Sequence, residues 1–509
     1  MARRLAGRKR RILARLDRAN RGKYQRFAEG AGPVFNPPGV KYELAEKARG
    51  IVYGGVGLMV KLAREVGLVE AIDRRLHLLK MHVPYHESDH VLNFALNALC
   101  DATCLQDLEL RRNDEVFLDA VGADSIPDPT TAGDFCRRFK AESLDDLRDA
   151  GDDARLNVWA RQAEAFFAEA VIDLDGTLVV TTGDCKEEME ISYKGTWGYH
   201  PLLVTLANTG EVLDLVNRPG NRPSEEGAAA AADRAIALCR RGGFRQIRLR
   251  GDTAFSQTEH LDRWDASGVR FQFGYDARPN LVAWAENLEE SAWKPLARPP
   301  AYTRKGPPRT RPRNVKRQVI RRRAFLHKEL QSEQVAAFDY RPTACAQAYR
   351  MIVVRKNISQ EKGEQRLFDE IRYFFYITND KAMTAAEIVF GCNDRCDQEN
   401  LIAQLAGGVR ALAAPVDNLV SNGAYMLMTA LAWTLKAWAA LLLPVAPDRR
   451  AQHEQERRSW LRMEFKTFIH AVMQLPCQIV RQARRTVYRV LGWNPHLPSF
   501  FRLCEVLRC

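Results

Sequence analysis

The sequence predicts a multidomain protein of α and α/β class: a helical N-terminal region, a mixed-sheet core with a β-rich insertion, and a helical C-terminal region. Three observations carry this. Apolar residues recur at helical spacing through residues 41–165. Near residue 166 the pattern changes to short β-rich runs, which then alternate with a helical segment. From residue 385 the helical spacing returns and holds almost to the end. A chain of 509 residues has room for roughly two to four domains with cores of their own.

Residues 1–40 read as a basic arm, with Arg3, Arg4, Arg8, Lys9, Arg10, Arg11, Arg15, Arg18, Arg21 and Lys23. It lacks the apolar core of a signal peptide. The arm is either a solvated tail or a helix that orders on a phosphate backbone. Residues 41–165 are predicted helical, with runs at Val56–Val69, His90–Leu96 and Leu105–Leu110. Ser88 and Asp89 are N-cap candidates for the second run. Pro127 to Thr131 breaks the pattern before a helix through Phe135 and Phe139.

The first part of the core is placed at 166–290. Strands are expected at Val171–Thr182, Leu202–Ala207 and Val212–Val216, a helix from Ser224 to Arg241, then strands at 246–252 and 270–275. A β-rich basic insertion follows at 291–384. Its entry loop has ten basic residues from Arg304 to Arg323 with no acid between them, and strands are expected at Gln347–Val354 and Arg372–Thr378. The second part of the core, 385–445, contains a helical run at Gln398–Leu405. The apolar stretch Tyr425–Val445 has the length of a bilayer span, but Lys436 in its middle favours a buried core helix, and no membrane partner is expected. Residues 446–509 are read as a basic helical region, including Arg481, Arg484 and Arg485, that binds DNA or pairs with a second subunit.

A formal net charge of +13 and a pI near 9.3 favour a polyanionic partner, most simply nucleic acid. Eleven scattered cysteines form no disulfide framework and read as reduced thiols of a cytosolic protein. Cys100/Cys104 and Cys392/Cys396 have i,i+4 spacing, but no histidine completes a metal set. They are expected to be buried small residues.

The chemistry is carried by acids. Asp175 lies in an apolar strand pattern, Val171 to Val180; Asp252 ends a second strand; Glu399 opens a helical run. A strand-borne Asp, a strand-end Asp and a helix-borne Glu form a layout suited to two-metal phosphoryl transfer. Mg2+ takes few carboxylates and fills its remaining positions with water or substrate oxygens, so three acids are sufficient. Asp173 shares a strand face with Asp175 and is the alternate first acid. Singly, each of these acids also reads as a turn, cap or dipole-complementing residue.

The chain resembles the DDE transposases of bacterial insertion sequences, specifically the insertion-sequence 1380 family, transposase DDE domain group 1. The likeness covers residues 45–440. It rests on Tyr85 with Ser88-Asp89, Leu105 to Leu108 before Arg111 and Asp114, and Pro127 to Thr131 before Arg137-Arg138-Phe139. In the core it rests on Asp173 to Thr177, Tyr193 to Pro201, Arg218 to Asn221, Arg250 to Phe255, and Asn393 to Leu405. The resemblance implies a ribonuclease H-like catalytic core, a helical DNA-binding domain at 41–165, and Asp175, Asp252 and Glu399 as catalytic and metal-binding triad. The implied cofactor is a pair of Mg2+ ions, for which Mn2+ can substitute.

The implied partners are double-stranded DNA, as element inverted repeats and as target, and a second copy of the chain in a synaptic complex. The implied location is the bacterial cytoplasm, at the nucleoid. The implied reaction is cleavage at the element ends followed by joining of the 3′-hydroxyls to target DNA. Arg395, one turn before Glu399, is either a phosphate contact or half of a plain Arg–Glu helix pair. Cys392 and Ala406 stand where related families place a Tyr and a Lys. Arg8, Lys9, Arg10 and Arg11 of the arm, and Arg309, Arg311, Arg313, Lys316, Arg317, Arg321 and Arg322 of the insertion, are the candidate DNA contacts. Trp284 and Trp293 are candidate base-stacking residues, with packing as the plainer reading. Two alternatives remain: a metal-dependent nuclease of the same fold, and a domesticated DNA-binding protein.

Overall fold

The structure, a computed structural model, describes residues 2–28, 49–298, 315–362, 365–366, 369–482 and 485–509. In chain order the strands are β1 (Gly50–Ile51), β2 (Glu169–Gly176), β3 (Val179–Val180), β4 (Glu190–Ile191), β5 (Trp197–Tyr199), β6 (Leu202–Leu206), β7 (Glu211–Val216), β8 (Gln246–Gly251) and β9 (Val269–Tyr275). They continue with β10 (Lys294–Pro295), β11 (Leu326–Tyr340), β12 (Tyr349–Lys362), β13 (Gln365–Arg366), β14 (Glu370–Thr378), β15 (Cys477–Gln482) and β16 (Arg485–Val490).

The predicted N-terminal helices form between Val56 and Trp159. The helix Glu87–Leu99 starts earlier than the sequence indicates. His86 is its N-cap position, and the Asp89 carboxylate accepts from the His86 N–H at 2.9 Å. Ser88 sits within the first turn and bonds Asp73 instead. Asp128 caps Pro129–Arg137 by accepting from the Thr131 N–H, and Pro129 occupies the first turn, where a missing N–H is harmless.

The central sheet runs β10-β11-β12-β14-β9-β8-β2-β6-β7, with β13 beside β12. β2, β6 and β7 are an antiparallel meander, whereas β2, β8 and β9 run parallel. The helix Ala228–Arg241 links β7 to β8 and packs on β2, β6, β7 and β8. The stretch expected as an insertion is continuous with this sheet, because β14 pairs antiparallel with the edge of β9. β11 was not expected. It is a long ribbon strand with little burial and many charges, so it lacks the apolar alternation that marks a strand in sequence.

The C-terminal region corrects the expectation of continuous helix. β15 and β16 form a hairpin that pairs with β1. Its alternation of buried Cys477 and Ile479 with polar residues is a strand pattern that the surrounding arginines obscure.

The stretch at Tyr425–Val445 falls mostly within a buried core helix, Leu419–Leu441. Lys436 is buried there, donates to the Leu461 carbonyl at 2.8 Å, and lies 3.9 Å above the Trp433 ring. Burial lowers its pKa to about 7. Among the described residues, no helix is long and apolar enough to cross a membrane.

Glu211, at the start of β7, ties this helix to the N-terminal region. It is fully buried and accepts from Trp159 Nε1 (3.1 Å), Trp438 Nε1 (2.8 Å), Thr209 Oγ1 (2.7 Å) and Arg155 Nε (3.3 Å). Replacing it leaves two buried indole N–H groups without their acceptor and takes from Arg155 one of its two carboxylate partners, Asp152 being the other. Glu211→Ala is expected to destabilise the protein by about 3–5 kcal/mol, read as a fall in the denaturant midpoint.

Candidate active site

Asp173 and Asp175 lie on the same face of β2, two residues apart. β2 and β8 are in parallel register with Asp173 beside Arg250. Continuing that register by two residues brings Asp175 level with Asp252, just past the end of β8. The two carboxylates sense each other: the charge on Asp252 helps raise the pKa of Asp175.

Their neighbouring groups differ sharply. Both Asp173 oxygens are taken by Arg250, Nε to Oδ1 at 2.6 Å and Nη2 to Oδ2 at 2.8 Å, and the carboxylate is only 1% exposed. Arg250 also donates to the Gly391 carbonyl at 2.8 Å. Burial opposes the charge on Arg250, yet the Asp173 carboxylate outweighs it and raises the guanidinium pKa. Asp175 keeps a solvent-facing edge. One oxygen accepts from the Gly176 N–H at 2.8 Å, the other from Arg395 Nη1 at 2.8 Å. Burial is the main cause raising its pKa to about 6; Arg395 opposes the shift and Asp252 adds to it. Asp252 caps the short turn Thr253–Phe255 by accepting from the Ala254 N–H at 2.9 Å.

Glu399 lies on the helix Cys396–Ala403, which continues into a π-helical turn, Gln404–Gly408. Its side chain is 60% exposed and stands 3.7 Å from Arg395 Nη2. Arg395 therefore touches Asp175 with one nitrogen and approaches Glu399 with the other. Gln398 is buried and donates to the Asp173 carbonyl at 3.0 Å, which fixes the helix over β2. Sequence reasoning missed Gln398; inside the Asn393–Leu405 motif only its position next to Glu399 marks it.

His200 was also missed as an individual residue, although it lies within the Tyr193–Pro201 motif. A Cβ on Gly176 would sit 2.9 Å from its Nε2, so glycine is what lets the ring abut the Asp175 turn. His200 Nδ1 is 2.8 Å from the Arg222 carbonyl, and Arg218 Nε donates to the His200 carbonyl.

Asp175 and Asp252 thus come together, with Glu399 joined to them through Arg395. Among the described residues, no group of three or more His, Cys, Asp or Glu side chains is close enough to hold a metal ion. The donor chemistry is that of a hard-cation site, oxygen atoms of two carboxylates at adjacent strand ends, with Glu399 one guanidinium away. Cys392 lies near Arg250, and burial pushes its thiol to about 12; Ala406 is exposed on the π turn.

The cysteine expectation fails in part. All eleven thiols are free, and Cys104 and Cys396 are exposed. Trp293 is buried with the Arg355 guanidinium 4.3 Å above it, and half-exposed Trp284 packs against Phe338 and Tyr340. Of the basic candidates, Arg8 is occupied by the carbonyls of Val490 and Gly492, and Lys9 lies 5.9 Å from the Trp493 ring. Arg10, Arg11, Lys316 and Arg322 are exposed. Arg309, Arg311 and Arg313, with the side chains of Arg317 and Arg321, lie outside the described residues.

The family described as transposase DDE domain group 1 matches residues 52–508. The chain belongs to that family. No curated protein matches the sequence. Among solved structures, a piggyBac transposase synaptic complex with hairpin DNA is similar at 8% identity and a TM-score of 0.35, covering 84% of this chain and 83% of that one. Family membership makes the protein a transposase of the DDE type, a class that acts on DNA and generally uses divalent metal.

The Asp173–Arg250 pair generates a test. Arg250→Ala leaves a buried carboxylate without a partner and is expected to lower stability by about 3–5 kcal/mol. The double replacement Asp173→Asn/Arg250→Met is expected to recover most of that loss, as measured by thermal melting of all three proteins.

Proposed function

We propose that this chain is a transposase of the insertion-sequence 1380 family that binds the terminal inverted repeats of its element, cleaves DNA at the element ends, and joins the 3′-hydroxyl ends to target DNA. The observation that carries this reading is the placement of Asp175 and Asp252 at adjacent parallel strand ends, with the Glu399 helix pinned above them by Gln398. The strand order β7-β6-β2-β8-β9, antiparallel then parallel, supports a ribonuclease H-like core.

Asp175, Asp252 and Glu399 would hold a pair of Mg2+ ions, with Mn2+ able to substitute. When bound, the ions supply charge stabilisation for the attacking and leaving oxygens of an in-line displacement. The residues divide the remaining work. Asp175 and Asp252 present oxygens from the ends of two adjacent central strands, which would position the scissile phosphate. Arg395 supplies a guanidinium beside the same carboxylates, suited to a non-bridging phosphate oxygen. Asp173, with both oxygens held by Arg250, is a positioning residue for β2, and the metal-ligand role falls to Asp175. The exposed basic side chains at Arg10, Arg11, Lys316 and Arg322 are phosphate contacts, and two copies of the chain hold the two ends.

Cleavage of duplex oligonucleotides carrying the element's inverted repeats tests this. Asp175→Asn, Asp252→Asn and Glu399→Gln should each lower end cleavage in Mg2+ by at least 100-fold with the fold retained. Asp173→Asn, where it remains folded, should keep measurable cleavage. A dead Asp173→Asn beside an active Asp175→Asn would reverse the assignment. Nicking confined to the repeat boundary and followed by joining supports transposition; indiscriminate degradation would favour a nuclease.

The raised pKa of Asp175 gives a second test, in EDTA. Its folded value near 6 lies above the ordinary 3.8, so its contribution to stability is complete below about pH 4 and lost as pH rises through 6. Asp175→Asn should therefore melt a few degrees higher than the parent at pH 7.5, with the gap closing towards pH 4.

A further inference from the structure

We infer that the N-terminal helix and the C-terminal hairpin form one composite surface for the backbone of duplex DNA, and that Arg8 is the staple that assembles it. The inference rests on the transposase reading and adds a surface that the active site does not contain.

The helix Ala2–Ala28 carries a single acid, Asp17, and exposes Arg3, Arg4, Arg10, Arg11, Arg15 and Arg18. The hairpin β15–β16 and its exit, residues 477–493, include Arg481, Arg484, Arg485 and Arg489 and no acid at all. Arg485 and Arg489 are exposed. The two segments lie at opposite ends of the sequence, yet Arg8 Nη1 donates to the carbonyls of Val490 (2.5 Å) and Gly492 (3.1 Å). Leu5 packs onto the hydrophobic core, and Lys9 lies over the Trp493 ring, 5.9 Å from its centroid.

Physical chemistry makes this arrangement specific. Two arginine-rich segments repel one another, and the fold sets them side by side through Arg8. Their attachment uses backbone carbonyls and apolar contact, and Arg10, Arg11, Arg15, Arg485 and Arg489 are exposed beside it. Such a surface is stabilised by a polyanion, and duplex DNA releases its condensed counterions when phosphates meet lysine or arginine. The hairpin presents arginines from a rigid β-ribbon and the helix presents them along its axis, so the two can contact separate phosphates of one duplex. Arg8 itself is not a phosphate contact. Its role is to hold the helix against the hairpin.

The test is the salt dependence of binding by the full chain to a fluorescent 30-base-pair duplex of arbitrary sequence, in EDTA to prevent cleavage. Each phosphate contact contributes about −0.9 to the slope of log affinity against log salt. Arg485→Gln/Arg489→Gln should reduce the slope by about two and weaken binding at least tenfold at 0.1 M KCl. Arg8→Gln should reduce it by clearly more than one, approaching the triple variant Arg10→Gln/Arg11→Gln/Arg15→Gln, because one substitution frees the whole helix.

An unchanged slope for Arg485→Gln/Arg489→Gln, with melting temperature retained, overturns the surface. A change of one or less for Arg8→Gln overturns the staple. Loss of self-association in these variants with DNA binding intact assigns the surface to a second copy of the chain and also overturns the proposal. Asp175→Asn should bind with the parental slope. Intact binding with intact cleavage in Asp175→Asn would count against the carboxylate assignment alone, and unchanged slopes in the arginine variants, with Asp175→Asn inactive, against this surface alone.

Discussion

The geometry of the candidate site depends on the buried ion pair between Asp173 and Arg250. A buried pair is a poor source of net stability, since removing both charges from water offsets most of their attraction. What it supplies here is registration. Arg250 grips Asp173 across the β2–β8 junction and reaches the Gly391 carbonyl at the end of the helix Ala385–Asn393. A one-residue slip between the strands would turn Asp175 and Asp252 to opposite faces. The pair makes that slip expensive, because it would strand two charges in the core.

A second buried anion does the corresponding task for the helical layers. Glu211 collects donors from the Ala141–Trp159 helix, from the Leu419–Leu441 helix and from its own strand neighbourhood. The N-terminal and C-terminal helical regions are thereby fixed to the same end of β7. The acids that carry the proposed chemistry sit on the sheet and on the Cys396–Ala403 helix, away from Glu211. Structural carboxylates are fully enclosed and saturated with donors, whereas Asp175, Asp252 and Glu399 each retain access to solvent.

This difference also explains what the sequence could reveal. The strand around Asp175, the strand ending at Asp252 and the buried Leu419–Leu441 helix were all legible, because apolar periodicity marks one-sided or complete burial. Strand periodicity does not separate Asp173 from Asp175, since both lie on one face; the Asp175-Gly176-Thr177 triplet favours Asp175 by resemblance, and only the partner from β8 shows how their surroundings differ. β11 was hidden for want of buried alternation, and β15–β16 by its arginines. Gln398 and His200 were invisible as individuals: their importance lies in a carbonyl 225 residues away for one, and in the space left by Gly176 for the other. Long-range partners of this kind leave no local pattern.

Arg395 is the cation through which the candidate acids are linked. Burial disfavours the charge on Asp175, and Asp252 adds to that effect. Arg395 opposes both: it bonds Asp175 at 2.8 Å and stands 3.7 Å from Glu399. On the transposase reading, Asp175 would help hold a divalent ion and Arg395, one helical turn before Glu399, would offer its guanidinium to a phosphate oxygen. The surrounding segment carries Arg395 together with Cys392 and Ala406, where related families place a Tyr and a Lys, so Arg395 is the cation that both neighbouring acids share.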